Sequence, residues 1–488
     1  MDRARRAHAQ EILRDHEAQS RDPLQSKIAE LAPVYSLPAE LLVCIFKIAR
    51  QREEESGYMF VPKIGSQIPN ILSRVSRSWR EAAISTSCLW SSIYCEPYTG
   101  PMLLDTHLQY SRACPLDIRL YWASTNAVGL NLSNITLRTW REHRLKSLIR
   151  HANRWRRFDI QFISGFVLHE ILSSLRYVHP PRLEHFGVEN VGALALPNRI
   201  DWGVFTAGIP ALASLSLHDC QSMAICFLHQ RNITSLQLSS VRETTVWPDW
   251  EPFRRLLLGL PALTHLSIRD DVVRMHQSGF VPVEIRSLLV LEITTLHETE
   301  LQTIPRLCTF LSTPALERLI LNNRLSTPLK GIVVLAQSNP IPQRYPVLRS
   351  LELRSCYRVP ITAGSCNEWR EFICVFPNIT HLIIHRLEGY SDTSDSIFTI
   401  IGSSSEVEDY LPRLASLTIS SPAEDDIVDV GALVSSRITA GCPMRQLILE
   451  NPPTWSPEIL TQIEMLREQI EVEVVRVRDI ETVMQHYY

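Results

Sequence analysis

A mixed α+β or α/β repeat array behind a short helical unit is the fold class this sequence predicts. Three observations carry it. An apolar triplet, h-x-x-h-x-h with h an apolar residue, returns again and again between residues 155 and 449. Helix-prone stretches such as "TLRTWREHRLKSLIRHA", "FRRLLLG" and "NEWREFICVF" lie between its copies. Near the front stands a helix too greasy for an ordinary surface position.

In chain order, residues 1–35 are polar and helix-prone, a helical or disordered lead-in whose apolar positions keep no lasting heptad. Residues 36–95 form the helical unit. "SLPAELLVCIFKIARQ" opens with Ser36 as an N-cap, Pro38 in the first turn and Glu40 at the positive end of the helix dipole. From Leu41 to Ala49 its one charged residue is Lys47, so the helix must be covered on more than one side. "EEESGYMFVPKIGSQIPN" reads as a loop. "ILSRVSRSWREAAIS" reads as one further helix, with Ile71, Leu72, Val75, Trp79, Ala82 and Ala83 at three- and four-residue steps. "TSCLWSSI" places Leu89 and Trp90 just past its end.

Here the residues resemble an F-box. The pattern L-P-x-E-L-L-x-x-I-F, then V-S-R-x-W-R, then L-W is carried by Leu37, Pro38, Glu40, Leu41, Leu42, Ile45, Phe46, Val75, Ser76, Arg77, Trp79, Arg80, Leu89 and Trp90. The match covers about 60 residues. One departure is the stretch of roughly twenty residues between Arg50 and Ile71, where an F-box has a short connection; loop entropy grows slowly enough with length to tolerate it. The resemblance implies docking to the Skp-family adaptor subunit of SCF-type cullin–RING ubiquitin ligases and, through it, to cullin. The residues it assigns to that contact or its support are Leu37, Pro38, Leu41, Leu42, Ile45, Phe46, Val75, Trp79, Leu89 and Trp90. The physical reading agrees, because a unit of about 60 residues buries its own surface incompletely. The competing reading is that the rest of the chain covers the greasy helix.

Residues 96–150 are read as a linker and N-terminal cap, with "PLDIRLYW" a strand by its alternation. From 151 to 480 the triplet sets the architecture. First positions fall at 155, 183, 212, 233, 263, 285, 316, 348, 379, 414 and 444, with steps from 21 to 35. The last two apolar positions of each copy lie two apart and face one way on a short strand. A strand and a helix that cannot hide their apolar faces alone must stack into a solenoid. "EQIEVEVVRV" closes the array after the helix "PEILTQIEMLRE". These copies resemble irregular leucine-rich repeats; two of them extend to L-x-x-L-x-L-x-x-C at Cys220 and Cys356, while most lack that step. A β-propeller is disfavoured by the intervening helices, and a purely helical array by the alternation in "SLSL" and "SLQL".

Residues two, four and six after each first position should form the open strand face. The candidate surface for a protein target is His265, Arg269, Leu289, Leu291, Ile320, Arg354, His381, Ile383, His385 and Ile448, with Arg318, His185, Ser214 and His218 among its polar neighbours. Apolar members of such a face suggest docking.

Bulk properties narrow the classes. A net charge of −3 and a pI near 6.6 give no case for nucleic acid or anionic membrane as partner. Eleven cysteines, with no C-x-x-C pair, argue against a zinc module and for a reducing compartment, cytoplasmic or nuclear. No secretory signal and no run of about 18 apolar residues is present, so the sequons at Asn131, Asn134, Asn232 and Asn378 read as chance. No catalytic motif and no cofactor site emerges. Ser365 and Cys366 lack a spaced base, and His381 and His385 on a strand stand about 13 Å apart, too far to share an ion. The expected function is a non-catalytic substrate-recognition subunit that holds a protein target for ubiquitination. The alternatives are a non-ubiquitinating F-box scaffold and, more remotely, a hydrolase.

Overall fold

The computed structural model describes residues 37–56, 68–96, 100–122, 140–162, 164–190, 203–220, 223, 227, 230–240, 250–270, 272, 281–295, 307, 310–323, 345–354, 371–385, 398 and 411–476. The lead-in, Ser365 and Cys366 lie outside them. The chain divides into two compact units, Met1–Ser91 with Thr106–Cys114 and Ser92–Asp105 with Pro115–Tyr488.

In the first unit, α1 (Ala39–Ser56) starts on Pro38, whose carbonyl accepts the N–H groups of Leu41 and Leu42. It runs through the glutamates read as loop, since Glu is a good helix former. The expected second helix is instead two, α2 (Ile68–Val75) and α3 (Arg77–Ser85). Ser76 makes the break. Its backbone is extended at φ −155° and ψ 175°, and its Oγ accepts the Trp79 N–H at 3.2 Å. A serine that can cap a new helix competes with continuing the old one. A 3₁₀ turn, Ser87–Trp90, then tucks Leu89 and Trp90 inside. Leu42, Phe46, Leu72, Ala82, Ala83, Leu89 and Trp90 form the core, with Leu37, Ile68, Trp79, Ile84 and Tyr110 packed against it. Phe46 and Trp79 rings lie 5.0 Å apart, and the Trp90 indole N–H donates to the Ala83 carbonyl at 2.8 Å.

The second unit is mixed helix and strand, built on a parallel, open sheet of fourteen strands. Its strands are β1 (Ser92–Cys95), β2 (Leu116–Trp122), β3 (Trp155–Phe162), β4 (His185–Asn190), β5 (Ser214–His218), β6 (Ser235–Ser239), β7 (His265–Arg269), β9 (Val290–Thr295), β11 (Arg318–Asn323), β12 (Ser350–Arg354), β13 (His381–His385), β14 (Ser416–Ser420), β15 (Gln446–Glu450) and β16 (Glu471–Val475). Two short strands, β8 (Val283–Glu284) and β10 (Leu311–Ser312), pair separately. The large sheet follows chain order throughout, so each segment adds its strand beside the last, a solenoid-like arrangement. β1, within the span 36–95 read as the helical unit, is the edge strand, and the "PLDIRLYW" strand is β2 beside it.

The triplets fill the interior. Trp155, Phe158 and Ile160, for example, are wholly buried, as are Leu212, Leu215 and Leu217. Of the remaining helices, α4 (Pro101–Tyr110) is divided between the two units at Thr106, and α5 (Lys146–Ile149), α6 (Gly165–Leu175), α7 (Trp250–Leu258), α8 (Glu424–Thr439) and α9 (Pro457–Arg467) belong to the second. Of these, α6 buries Val167, Leu168, Ile171, Leu172 and Leu175. Inside α8, the buried Arg437 donates to the carbonyl of Leu411, a cation at a helix C-terminal turn. Four strands end on a left-handed residue, Asp219, Asp270, Ser421 and Asn451, whose N–H donates to the neighbouring strand. Asp, Asn and Ser tolerate such turns because their short polar side chains bond locally.

One copy sits in another register than expected. Leu266 pairs with Leu291 and Ile268 with Ile293, so the triplet is Leu288, Leu291, Ile293 and not one starting at Ile285. Leu291 therefore points into the core and is fully buried. Leu289 takes the turn position, its carbonyl accepting from Glu317 and Arg318 as that of Thr264 does from Leu289 and Val290. The face positions of β9 are Val290, Glu292 and Thr294. Two overlapping triplets were available in "IRSLLVLEI", and the one that buries three large aliphatic side chains beside β7 prevails.

Candidate functional site

Two surfaces qualify, one on each unit. In the first unit the ten residues assigned by the F-box resemblance separate by depth. Leu42, Phe46, Leu89 and Trp90 are interior, while Leu37 and Trp79 are half-buried against them. Pro38, Leu41, Ile45 and Val75 are exposed. Leu41, Ile45 and Ile48 are 50, 45 and 54 % exposed on one strip of α1, at helical i, i+4, i+7 spacing. Ile71 and Val75 make a second strip on α2, 46 and 45 % exposed and four residues apart. Among the described residues nothing covers either strip. Ile48 and Ile71 were legible as apolar but gave no sign of being outside.

On the second unit the candidate surface is the face of the sheet opposite its buried triplets. Three rows cross it, because parallel strands keep their register about 4.8 Å apart. Arg318, Ser350, His381, Ser416, Gln446 and Glu471 stand in one row; Ile320, Glu352, Ile383, Thr418, Ile448 and Glu473 in the next; Asn322, Arg354, His385, Ser420, Glu450 and Val475 in the third.

Glu352 organises its centre. Its side chain is 1 % exposed and is held by Arg318 Nη2, by Arg354 Nε at 2.6 Å and by His385 Nε2 at 2.9 Å. Burial alone would raise its carboxyl, but the hydrogen bond from His385 and the charges of Arg354 and Arg318 outweigh it and hold the pKa at about 2. Arg354 Nη1 also reaches Glu292 Oε1 at 3.1 Å. Since β11 lies between β9 and β12, that arginine passes over β11. This explains Ile320: it occupies the expected face position yet is only 7 % exposed. Arg318 Nε and Asn322 Oδ1, both on β11, find no hydrogen-bond partner among the described residues, so this strand is where the face is least satisfied.

The other expected face residues lie where the offset rule puts them. His265 and His381 are exposed, each bonded to the preceding threonine hydroxyl at 2.8 Å. Arg269, Ile383, His385 and Ile448 are half-buried. His381 and His385 belong to one strand and have separate partners, and no group of three or more metal-ligating side chains occurs among the described residues.

A third constellation escaped the sequence reading. Asp159 Oδ1 bonds His185 Nε2 at 2.9 Å, and His185 Nδ1 meets Ser214 Oγ at 3.0 Å, across β3, β4 and β5. Burial would raise the Asp159 carboxyl, but His185 and Arg157 overcome it and hold it below the usual range. Gly187 permits this: a Cβ there would stand 2.3 Å from Asp159 Oδ1. The order Asp–His–Ser invites comparison with a nucleophilic triad. Such a triad needs N–H donors aimed at a developing oxyanion, whereas the Ser214 and Ser235 N–H groups are spent on Glu184 and Ala213 carbonyls. The chain orients an imidazole on the face. The signal was Gly187, a glycine at a strand offset where every other copy from Ser216 to Ile448 carries a side chain.

No model of a known protein family and no curated protein matches the chain. Among the described residues no helix is long and apolar enough to cross a membrane.

Proposed function

We propose that the chain is a substrate-recognition subunit of an SCF-type ubiquitin ligase, its first unit an F-box and its second an irregular leucine-rich-repeat array. The observation that carries the reading is the pair of open apolar strips, Leu41–Ile45–Ile48 and Ile71–Val75, on helices whose sequence resembles an F-box. Five aliphatic side chains half in water gain roughly 1 kcal/mol each when a partner covers them. In this reading a Skp-family adaptor covers them, cullin follows, and the sheet face holds a protein target. The contribution to the reaction is local concentration and orientation, not bond-making.

The test is assembly. The purified full chain, mixed with a Skp-family adaptor and cullin, should elute with both as one complex. Co-elution of the adaptor without cullin favours the scaffold alternative, and elution of the chain alone overturns the assignment.

A further inference from the structure

The face of the sheet changes character between β11 and β16. On β11 and β12 stand Arg318 and Arg354, fixed from below by the enclosed Glu352. Arg318 stays 42 % exposed despite that bond, so part of its guanidinium faces outward in a set orientation. On β15 and β16 stand Glu450, Glu471 and Glu473, and no Lys or Arg occupies a facing position of β14, β15 or β16. Between the two ends Ile383, Thr418 and Ile448 share one row. A solvated sheet face has no reason to place isoleucines in one row between a carboxylate-fixed pair of arginines and an anionic end.

We propose that this face binds an extended protein segment lying across the strands, with a carboxylate side chain over Arg318 and Arg354, apolar side chains over Ile383 and Ile448, and a basic side chain over Glu450 and Glu473. The inference deepens the proposed function, resting on the sheet as its target-binding part.

Spacing sets the length of the segment. Six strands span five gaps of about 4.8 Å, or roughly 24 Å. An extended chain rises about 3.3 Å per residue and returns a side chain to the same side every ~6.6 Å. From between β11 and β12, where the arginines stand, to between β15 and β16, where Glu450 and Glu473 stand, is four of those gaps, or roughly 19 Å, which seven residues of the form acid-x-apolar-x-apolar-x-base cover in six steps of about 3.3 Å. Charge decides for a carboxylate over a phosphate. Two arginines are already balanced by Glu352 and Glu292, so a dianion meets two carboxylates at close range while a monoanion needs only the outward edge of Arg318. Pre-fixing both guanidiniums lowers the ordering cost of binding.

The test uses the full chain and a fluorescent heptapeptide, Asp-Ser-Leu-Ser-Leu-Ser-Lys with blocked ends, followed by anisotropy. It should bind at least tenfold tighter than versions ending in two acids or two bases. Ile448→Asp should abolish binding, and the double change Glu450→Lys with Glu473→Lys should transfer preference to the peptide with acid at both ends. No charge preference, an unchanged preference in the doubly substituted protein, or tighter binding when phosphoserine replaces the aspartate overturns the proposal. Adaptor capture is measured on the same preparations. Capture without peptide preference sinks this groove alone, and peptide preference without capture sinks the adaptor reading instead.

Discussion

The two units treat apolar side chains in opposite ways. In the sheet every large aliphatic of the repeat triplets is inside, from Leu183 to Leu449, and a buried carboxylate, Glu352, sits on the other face with two arginines and a histidine around it. In the helical unit Leu42 and Phe46 are inside while Leu41, Ile45 and Ile48 on the same helix stand in water. The sheet is saturated because each strand but the two at its edges finds a neighbour on both sides. Three short helices have no such supply, and their surplus is what a partner can use.

Breaking the contrast at its strongest point gives the largest effect. Ile45→Asp combined with Val75→Asp should weaken adaptor binding by more than a hundredfold while moving the melting temperature of the chain little, since exposed positions tolerate substitution. Phe46→Ala is the wrong probe, because it empties the core and should cost about 3–5 kcal/mol. Within the sheet, Leu291→Ala should cost about 2–4 kcal/mol by denaturant unfolding and Leu289→Ala under 1 kcal/mol; equal costs would contradict the register of β9.

Glu352→Gln sharpens the comparison from the polar side. It leaves two guanidiniums short of their anion and should cost about 3 kcal/mol near neutrality. Glu352 has its pKa depressed from 4.5 to about 2. Its stabilisation is thus complete above about pH 4.5 and is lost as pH falls through about 2. Stability measured across that window should fall less steeply in the glutamine variant. A smaller effect than that of the glutamine variant is expected for Ser76→Ala, which removes the cap between α2 and α3 and should cost about 1 kcal/mol.

The repeat register was legible because it repeats: every expected first position, Trp155 through Met444, is buried, Ile285 included. It failed only in "IRSLLVLEI", where an extra apolar triplet overlaps the true one. The helix break at Ser76 was missed because apolar periodicity runs across it, and periodicity cannot distinguish a continuous helix from two that share a face. Depth was the harder quantity. Leu41 and Leu42 are adjacent and alike in sequence, and only packing decides that one is 50 % and the other 4 % exposed. Ile320 shows the converse, a face position closed by Arg354, which reaches from the adjacent strand over β11 to Glu292.

Titration calorimetry of a purified Skp-family adaptor into the full chain, repeated at several temperatures, addresses the helical surplus most directly. One-to-one binding with a negative heat-capacity change, lost in the Ile45→Asp and Val75→Asp protein, is the expected result. Undiminished binding by that variant, or no heat at all from the folded wild-type chain, would contradict it.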